Sequence, residues 1–221
     1  MSSSVTSPAP ARPDGPASAA GHPPPPVRPW VFAAGAAALI ALLAVPGALT
    51  VRRGGGGPFD LDGELTIPAF ASAGLLLCAA AAAALAQRRD PGSRRRPWAA
   101  LAVLFAVMAV DEATGLHEGL EDLSAVDWQT LYVPVVLLAG IAWLLGLARL
   151  RGRERAAFVL GAGAWGAAQV LEALEWTGPR EAERAVDGYG IMMGAEELLE
   201  MTGSALFTLA LLLAVERWSR R

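Results

Sequence analysis

The sequence is poor in residues on which many functional sites depend. It contains no lysine, one cysteine (Cys78) and two histidines (His22 and His117) among 221 residues. A single cysteine excludes a disulfide within the chain. His22 belongs to a proline-rich tail, so a zinc centre that needs two or three histidines from one chain is also excluded. The ordinary histidine-rich zinc hydrolases are therefore ruled out as a class.

Several common catalytic and nucleotide-binding motifs are also missing. The chain has no glycine-rich phosphate loop, no nucleophile elbow and no dinucleotide-binding fingerprint. The segment GAGAWG (161–166) lies inside an apolar run, where small residues indicate close helix packing. We expect no nucleic-acid partner.

What the chain has in abundance is apolar sequence. Hydrophobic residues make up 54% of it and its mean hydropathy is +0.40, too apolar for an ordinary soluble domain. Residues 1–28 are rich in Pro, Ala and Ser and predict a disordered cytoplasmic tail. Six apolar runs follow, each close to the roughly 20 residues that cross a bilayer. They cover residues 30–51, 66–87, 97–117, 131–149, 156–176 and 191–215. The sequence predicts an all-α polytopic membrane bundle over residues 29–218.

The arginines predict how this bundle is oriented. They fill the second and fourth connections and the C-terminus, whereas the third connection (118–130) has no basic residue. By the positive-inside rule both termini are cytoplasmic, with Arg52 and Arg53 as exceptions on the outer side. The Ala, Gly, Arg and Pro bias is typical of a GC-rich bacterial genome. We therefore expect a multi-pass protein of a bacterial cell membrane.

Carboxylates lie inside or at the edges of the apolar runs. A carboxylate in hydrocarbon costs several kcal/mol unless it is paired, protonated or metal-bound, so each one marks a candidate functional site. At 1.5 Å per residue, Asp111, Glu172 and Glu200 lie roughly 21, 24 and 22 Å from the inner edge of their runs. Three helices thus place acids in one outer layer of the membrane.

Helix phase indicates which acids converge. At about 100° per residue, Asp111 and Glu118 share a stripe with His117 on its flank, whereas Glu112 points to another neighbour. In the last run Glu196 and Glu200 share a face. We expect these faces to meet within the bundle. The first outer connection, with its DLDGE stretch, is interpreted as a polar loop that could cover the site.

The acids and the histidine together suit a divalent cation. Oxygen-rich sites with one imidazole favour hard or borderline ions such as Ca²⁺, Mn²⁺ or iron. The Glu-x-x-His pattern of di-iron bundles is absent. Without a metal, such carboxylates would share protons. The predicted ligands are Asp111, Glu112, His117, Glu118, Glu172, Glu196, Glu197 and Glu200.

Three segments resemble a widespread family of small, uncharacterised multi-pass bacterial membrane proteins. They are FDLDGELTIPAFASAGLLL (59–77), AVDEATGLHEGLE (109–121) and GAEELLEMTGSALF (194–207). The resemblance covers about residues 58–210, and its DE…HE and EELLEM…GS motifs contain seven of the eight predicted ligands. It implies the fold and the location of the site, and it implies no activity.

Three functions are consistent with these patterns. The first is a metal-dependent membrane enzyme whose lipid-like or small-molecule substrate arrives from the outer leaflet. The second is a proton- or cation-coupled transporter, although the almost wholly apolar inner halves of the runs argue against a channel. The third is a structural protein whose acids dock a partner helix bearing Arg or Lys. The sequence leaves the ion and the oligomeric state open.

Overall fold

The structure is a computed structural model that describes residues 28–53, 55–61, 63, 65–92, 95–124, 128–177, 184–185 and 188–220. The predicted disordered tail, apart from Arg28, lies outside these residues. The described chain contains seven helices and one two-stranded ladder. They are α1 (Pro29–Arg52), α2 (Ile67–Arg89), α3 (Arg96–Thr114), α4 (Leu116–Ser124), α5 (Trp128–Leu147), α6 (Gly152–Glu175), β1 (Trp176–Thr177), β2 (Arg184–Ala185) and α7 (Tyr189–Ser219).

Six of these helices are long and apolar enough to cross a membrane: α1, α2, α3, α6, α7 and residues Thr130–Leu147 of α5. The predicted all-α polytopic bundle is confirmed. The antiparallel ladder of β1 and β2 has only two residues on each strand, with Trp176 opposite Ala185. It links α6 to α7 outside the spans and leaves the architecture unchanged.

The third apolar run differs from its predicted extent of 97–117. Helix α3 ends at Thr114, and Gly115 adopts a left-handed conformation with φ 59° and ψ 35°. Its N–H donates to the carbonyl oxygen of Asp111 at 2.8 Å, which closes the last turn. Glycine takes this conformation without the steric cost of a Cβ atom. The chain therefore turns here, and His117 lies on α4.

Helix α7 is the centre of the bundle and packs against α6, α2 and α1, while α3 packs against α2 and α5. The contact with α6 depends on two glycines. A Cβ atom at Gly203 would lie 2.4 Å from Cδ1 of Trp165 and 2.9 Å from the carbonyl oxygen of Gly161. The Trp165 indole also donates to the Ser204 hydroxyl at 3.2 Å. Small residues thus let these two backbones approach closely.

Two ion pairs hold one end of the bundle together. Asp90, which follows α2 and is 1% exposed, contacts Arg149 at 2.5 Å and accepts a hydrogen bond from the Trp98 indole at 2.8 Å. Glu154 of α6 contacts Arg217 of α7 through both carboxylate oxygens, at 2.6 and 2.8 Å. We call this the arginine-rich end; it comprises the C-terminal ends of α2, α5 and α7 and the N-terminal ends of α3 and α6.

The environment of Asp90 favours its ionised form. Burial works against ionisation, but hydrogen bonds from Arg149, Trp98 and the Gly92 N–H outweigh it and hold the pKa of Asp90 below its usual value. Gly92 is needed for this arrangement, because a Cβ atom there would lie 1.6 Å from Nη2 of Arg149.

Candidate functional site

Aromatic packing in the core sets the register between α3 and α7. The rings of Phe105 and Phe207 lie 5.3 Å apart, and Phe207 also packs on Phe158 of α6 at 5.2 Å. Helices α3 and α7 run in opposite directions, and seven residues make two helical turns. Seven residues beyond Phe105 is Glu112, and seven residues before Phe207 is Glu200. The ring contact therefore brings these two glutamates to one level on facing sides.

Glu200 is surrounded by other acids although it is only 8% exposed. The charged groups that act on it most strongly are Glu197 and Glu196 of its own helix, Glu112 of α3 and Glu172 of α6. Three helices thus contribute carboxyl groups to one region. We call it the glutamate cluster; its members are Glu112, Glu172, Glu175, Glu196, Glu197 and Glu200.

Helix α6 connects the members of this cluster by hydrogen bonds. The side-chain amide of Gln169 donates to Glu172 at 3.2 Å and to Glu200 at 3.4 Å. Glu175, which is 3% exposed, lies close enough to Glu196 for the two carboxyl groups to act on each other electrostatically. Like charges this close repel each other when both carboxyl groups are ionised.

The glutamate cluster lies far from the arginine-rich end. Glu172 is eighteen residues beyond Glu154 on α6, a rise of about 27 Å. Glu200 is seventeen residues before Arg217 on α7, a rise of about 26 Å. These separations are close to the thickness of a hydrocarbon layer, which is about 30 Å.

A second cluster of polar side chains lies where α3 ends. One carboxylate oxygen of Asp111 accepts hydrogen bonds from the His117 N–H at 2.9 Å and the Tyr132 hydroxyl at 3.1 Å. The other lies 3.2 Å from Nδ1 of His117. On a continuous helix, residues six apart would point about 120° away from each other. The turn at Gly115 removes that separation and lets Asp111 cap the first turn of α4.

The structure therefore distributes the predicted ligands differently from the single constellation that helix phase indicated. Glu112 is among the strongest charged neighbours of Glu200, whereas Asp111 contacts His117 and Tyr132 at the junction of α3, α4 and α5. The side chain of Glu118 lies outside the described part of the structure. Within the described residues, no three His, Cys, Asp or Glu side chains already stand together in a metal-binding arrangement.

Two residues that contact the acids, Gln169 and Tyr132, are not among the ligands that the sequence predicts. Gly115, a glycine directly after a helical run, could have indicated the break. Nothing in the local pattern near Tyr132 pairs it with Asp111, because the two are 21 residues apart.

The connection between α1 and α2 packs against both α1 and α7 through Leu61. Leu61 is 4% exposed, and it occupies the place where a side chain at Gly47 of α1 would stand, with its Cγ 2.6 Å from that Cβ position. It also approaches Gly194 of α7. Asp62 and Glu64 of the DLDGE stretch lie outside the described residues. The expected cover over the site stays a prediction.

Comparison with known proteins identifies a family and no activity. No curated protein matches the chain, and no solved structure matches it. Residues 30–215, which include all six spans except the ends of α1 and α7, match the family described as "Domain of unknown function (DUF8692)". Because this match covers far more than half of the chain, the protein belongs to that family.

Proposed function

We propose that this protein binds a cation in the glutamate cluster, from the side of the membrane opposite its arginine-rich end, and that its activity depends on that cation. The observation that carries the proposal is the surroundings of Glu200. It is buried in a membrane bundle, and carboxyl groups from three helices act on it most strongly.

The physical argument is the cost of negative charge in a region of low dielectric constant. Each ionised carboxylate in hydrocarbon costs several kcal/mol, and mutual repulsion adds to that cost. A proton or a metal ion among the carboxyl oxygens removes both penalties. Oxygen ligands suit Ca²⁺, Mn²⁺ and iron, and the long glutamate side chains can rotate to complete a coordination shell.

The nearness of Glu175 to Glu196 favours the proton as one occupant of the site, since neighbouring carboxyl groups share protons. On this view the protein is a proton- or cation-coupled transporter of a bacterial cell membrane, and a metal ion would displace the shared proton. Proton release on metal binding is then expected, since carboxylates bind metals in their ionised form.

The Asp111–His117–Tyr132 group favours a second candidate, a membrane enzyme that uses the cation. Asp111 beside Nδ1 orients the imidazole, which is one requirement for a general base. The substrate would be a lipid-like or other small molecule that enters from the outer leaflet. The cation in the glutamate cluster would then act as a Lewis acid.

The decisive experiment measures metal content and proton release on the detergent-purified protein. Elemental analysis follows loading with Ca²⁺, Mn²⁺, Fe²⁺ or Zn²⁺, and a pH indicator records protons released during loading. The variants are Glu200→Gln and Glu196→Gln at the cluster and His117→Ala at the second group. Glu216→Gln, at the arginine-rich end, is the matched control for loss of one carboxylate.

We expect stoichiometric metal, with proton release, in the wild type and in Glu216→Gln. Both should be lost in the two cluster variants. If His117→Ala still binds the metal, the ion lies in the glutamate cluster alone. If His117→Ala binds no metal, the glutamate cluster and the Asp111–His117–Tyr132 group form one site. A wild-type protein that takes up no metal, and whose proton titration is the same in Glu200→Gln, would refute the proposal.

A further inference from the structure

The arginine-rich end carries more positive charge than the chain itself neutralises. The segments 88–97, 148–156 and 214–221 at this end contain twelve arginines and three acids. The three acids already contact arginines, in the pairs Asp90–Arg149, Glu154–Arg217 and Glu216–Arg220. A large excess of guanidinium groups is therefore left for a partner outside the chain.

Exposed arginines from two connections form one surface. We call it the arginine face; its members are Arg88, Arg95 and Arg96 around the α2–α3 connection, and Arg151, Arg153 and Arg155 at the start of α6. The Asp90–Arg149 ion pair holds the two connections together. Arg95 is oriented by a hydrogen bond from its Nε to the Gly92 carbonyl oxygen at 3.4 Å, beside that pair.

The neighbourhood of the arginine face is apolar. Exposed aliphatic side chains lie within about two helical turns of the arginine face on three helices. They are Val103 on α3, Leu144 on α5 and Leu160 on α6. The N-termini of α3 and α6, which also favour anions, lie at the same end. A complementary ligand therefore carries negative charge next to a long apolar chain, and guanidinium groups bind phosphate through paired hydrogen bonds.

From this placement we propose that the arginine face binds the headgroups of anionic phospholipids, whose acyl chains lie along α3, α5 and α6. The site draws arginines from two connections that the Asp90–Arg149 pair joins. It is independent of the glutamate cluster and of the function proposed for it.

The test compares lipid binding by the full chain in a neutral detergent. Phosphatidylglycerol and phosphatidylcholine are titrated separately, and bound lipid is counted by native mass spectrometry. The variant Arg95→Gln with Arg153→Gln removes one arginine from each connection without touching an ion pair. The matched control is Arg52→Gln with Arg53→Gln, which removes two exposed arginines at the other end.

We expect the wild type to prefer phosphatidylglycerol and the Arg95/Arg153 variant to bind it about 25-fold more weakly, since each arginine near an anionic surface contributes about a fivefold factor. The control should bind as the wild type does. Equal weakening in the control, or equal binding of both lipids, would overturn the proposal. So would displacement of phosphatidylglycerol by millimolar inorganic phosphate, because the site would then recognise free phosphate. If the first variant does not fold, Arg96→Gln with Arg155→Gln gives the same comparison.

Discussion

The two ends of the helical bundle treat buried acids in opposite ways. At the arginine-rich end, Asp90 and Glu154 are each buried against an arginine from another part of the chain. At the other end, the strongest charged neighbours of Glu200 are carboxyl groups. A buried ion pair holds helices together once it has formed, whereas a group of like charges opposes folding until a cation enters. Ion pairing thus stabilises the first end, and the contrast supports the cation site that we propose at the second.

The largest expected effect on stability is at the arginine-rich end. Replacing Arg149 by Leu leaves the Asp90 carboxylate buried without its counter-charge. We expect the free energy of unfolding to fall by about 3 kcal/mol, because an uncompensated buried charge is strongly destabilising. Unfolding in detergent, followed by tryptophan fluorescence, measures the loss. A double variant with Asp90→Asn should recover part of it, and a strictly additive loss would break the comparison.

A smaller effect is expected when the ion pair is displaced rather than removed. Ala at Gly92 would put a methyl group where the Arg149 guanidinium lies, so the guanidinium must move away from Asp90. We expect a loss of about 1–2 kcal/mol. Gly74→Ala is the matched control, since a Cβ there meets no atom within 4 Å and only gains helix propensity. Equal stability of Gly92→Ala and the wild type would mean that the pair contributes little.

At the glutamate cluster we expect a substitution to raise the free energy of unfolding rather than to lower it. Replacing Glu200 by Gln removes one negative charge and keeps an oxygen that can accept from Gln169. In metal-free buffer near pH 7 we expect the protein to gain about 1 kcal/mol, since repulsion among nearby carboxylates is relieved. The same unfolding assay detects the change. A loss as large as that of Arg149→Leu would show that Glu200 is held by a positive group and would end the contrast between the two ends.

The smallest expected effect is a pH dependence at the arginine-rich end. The pKa of Asp90 is lower in the folded protein than its ordinary value of 3.8. Its contribution to stability is therefore fully present above that value and is lost as the pH falls through the lower folded pKa. Comparing the wild type with Asp90→Asn from pH 6 down to about pH 3 isolates this term. The difference between them should stay constant above about pH 4.5 and shrink below it.

Much of the fold could be predicted from the sequence because membrane spans are local features. A run of about 20 apolar residues must form a helix in hydrocarbon, where each backbone polar group needs an internal partner. The runs around Ala79 and Leu211 therefore predicted α2 and α7 without knowledge of their neighbours. The end of a helix is harder to predict where a single residue determines it. At Gly115 a left-handed turn ends α3, three residues before the predicted boundary.

The sequence predicted how far along each helix the acids of the candidate site lie, but it did not predict their contacts. The helical rise alone put Asp111, Glu172 and Glu200 in one layer. Helix phase did not show that the Phe105–Phe207 contact would bring Glu112, rather than its neighbour Asp111, opposite Glu200. Nor could spacing pair Asp90 with Arg149, which lies 59 residues further along the chain.

By itself, then, the sequence determined that the chain forms helices long and apolar enough to span a membrane, and how far along each helix its acids lie, because hydrophobicity and helical rise act locally along the chain. Only the tertiary structure decided which acids meet each other and which meet arginines. Those pairings depend on helix register, and register is set by contacts between distant side chains, such as the ring of Phe207 between Phe105 and Phe158 and the close approach of Gly203 to Gly161.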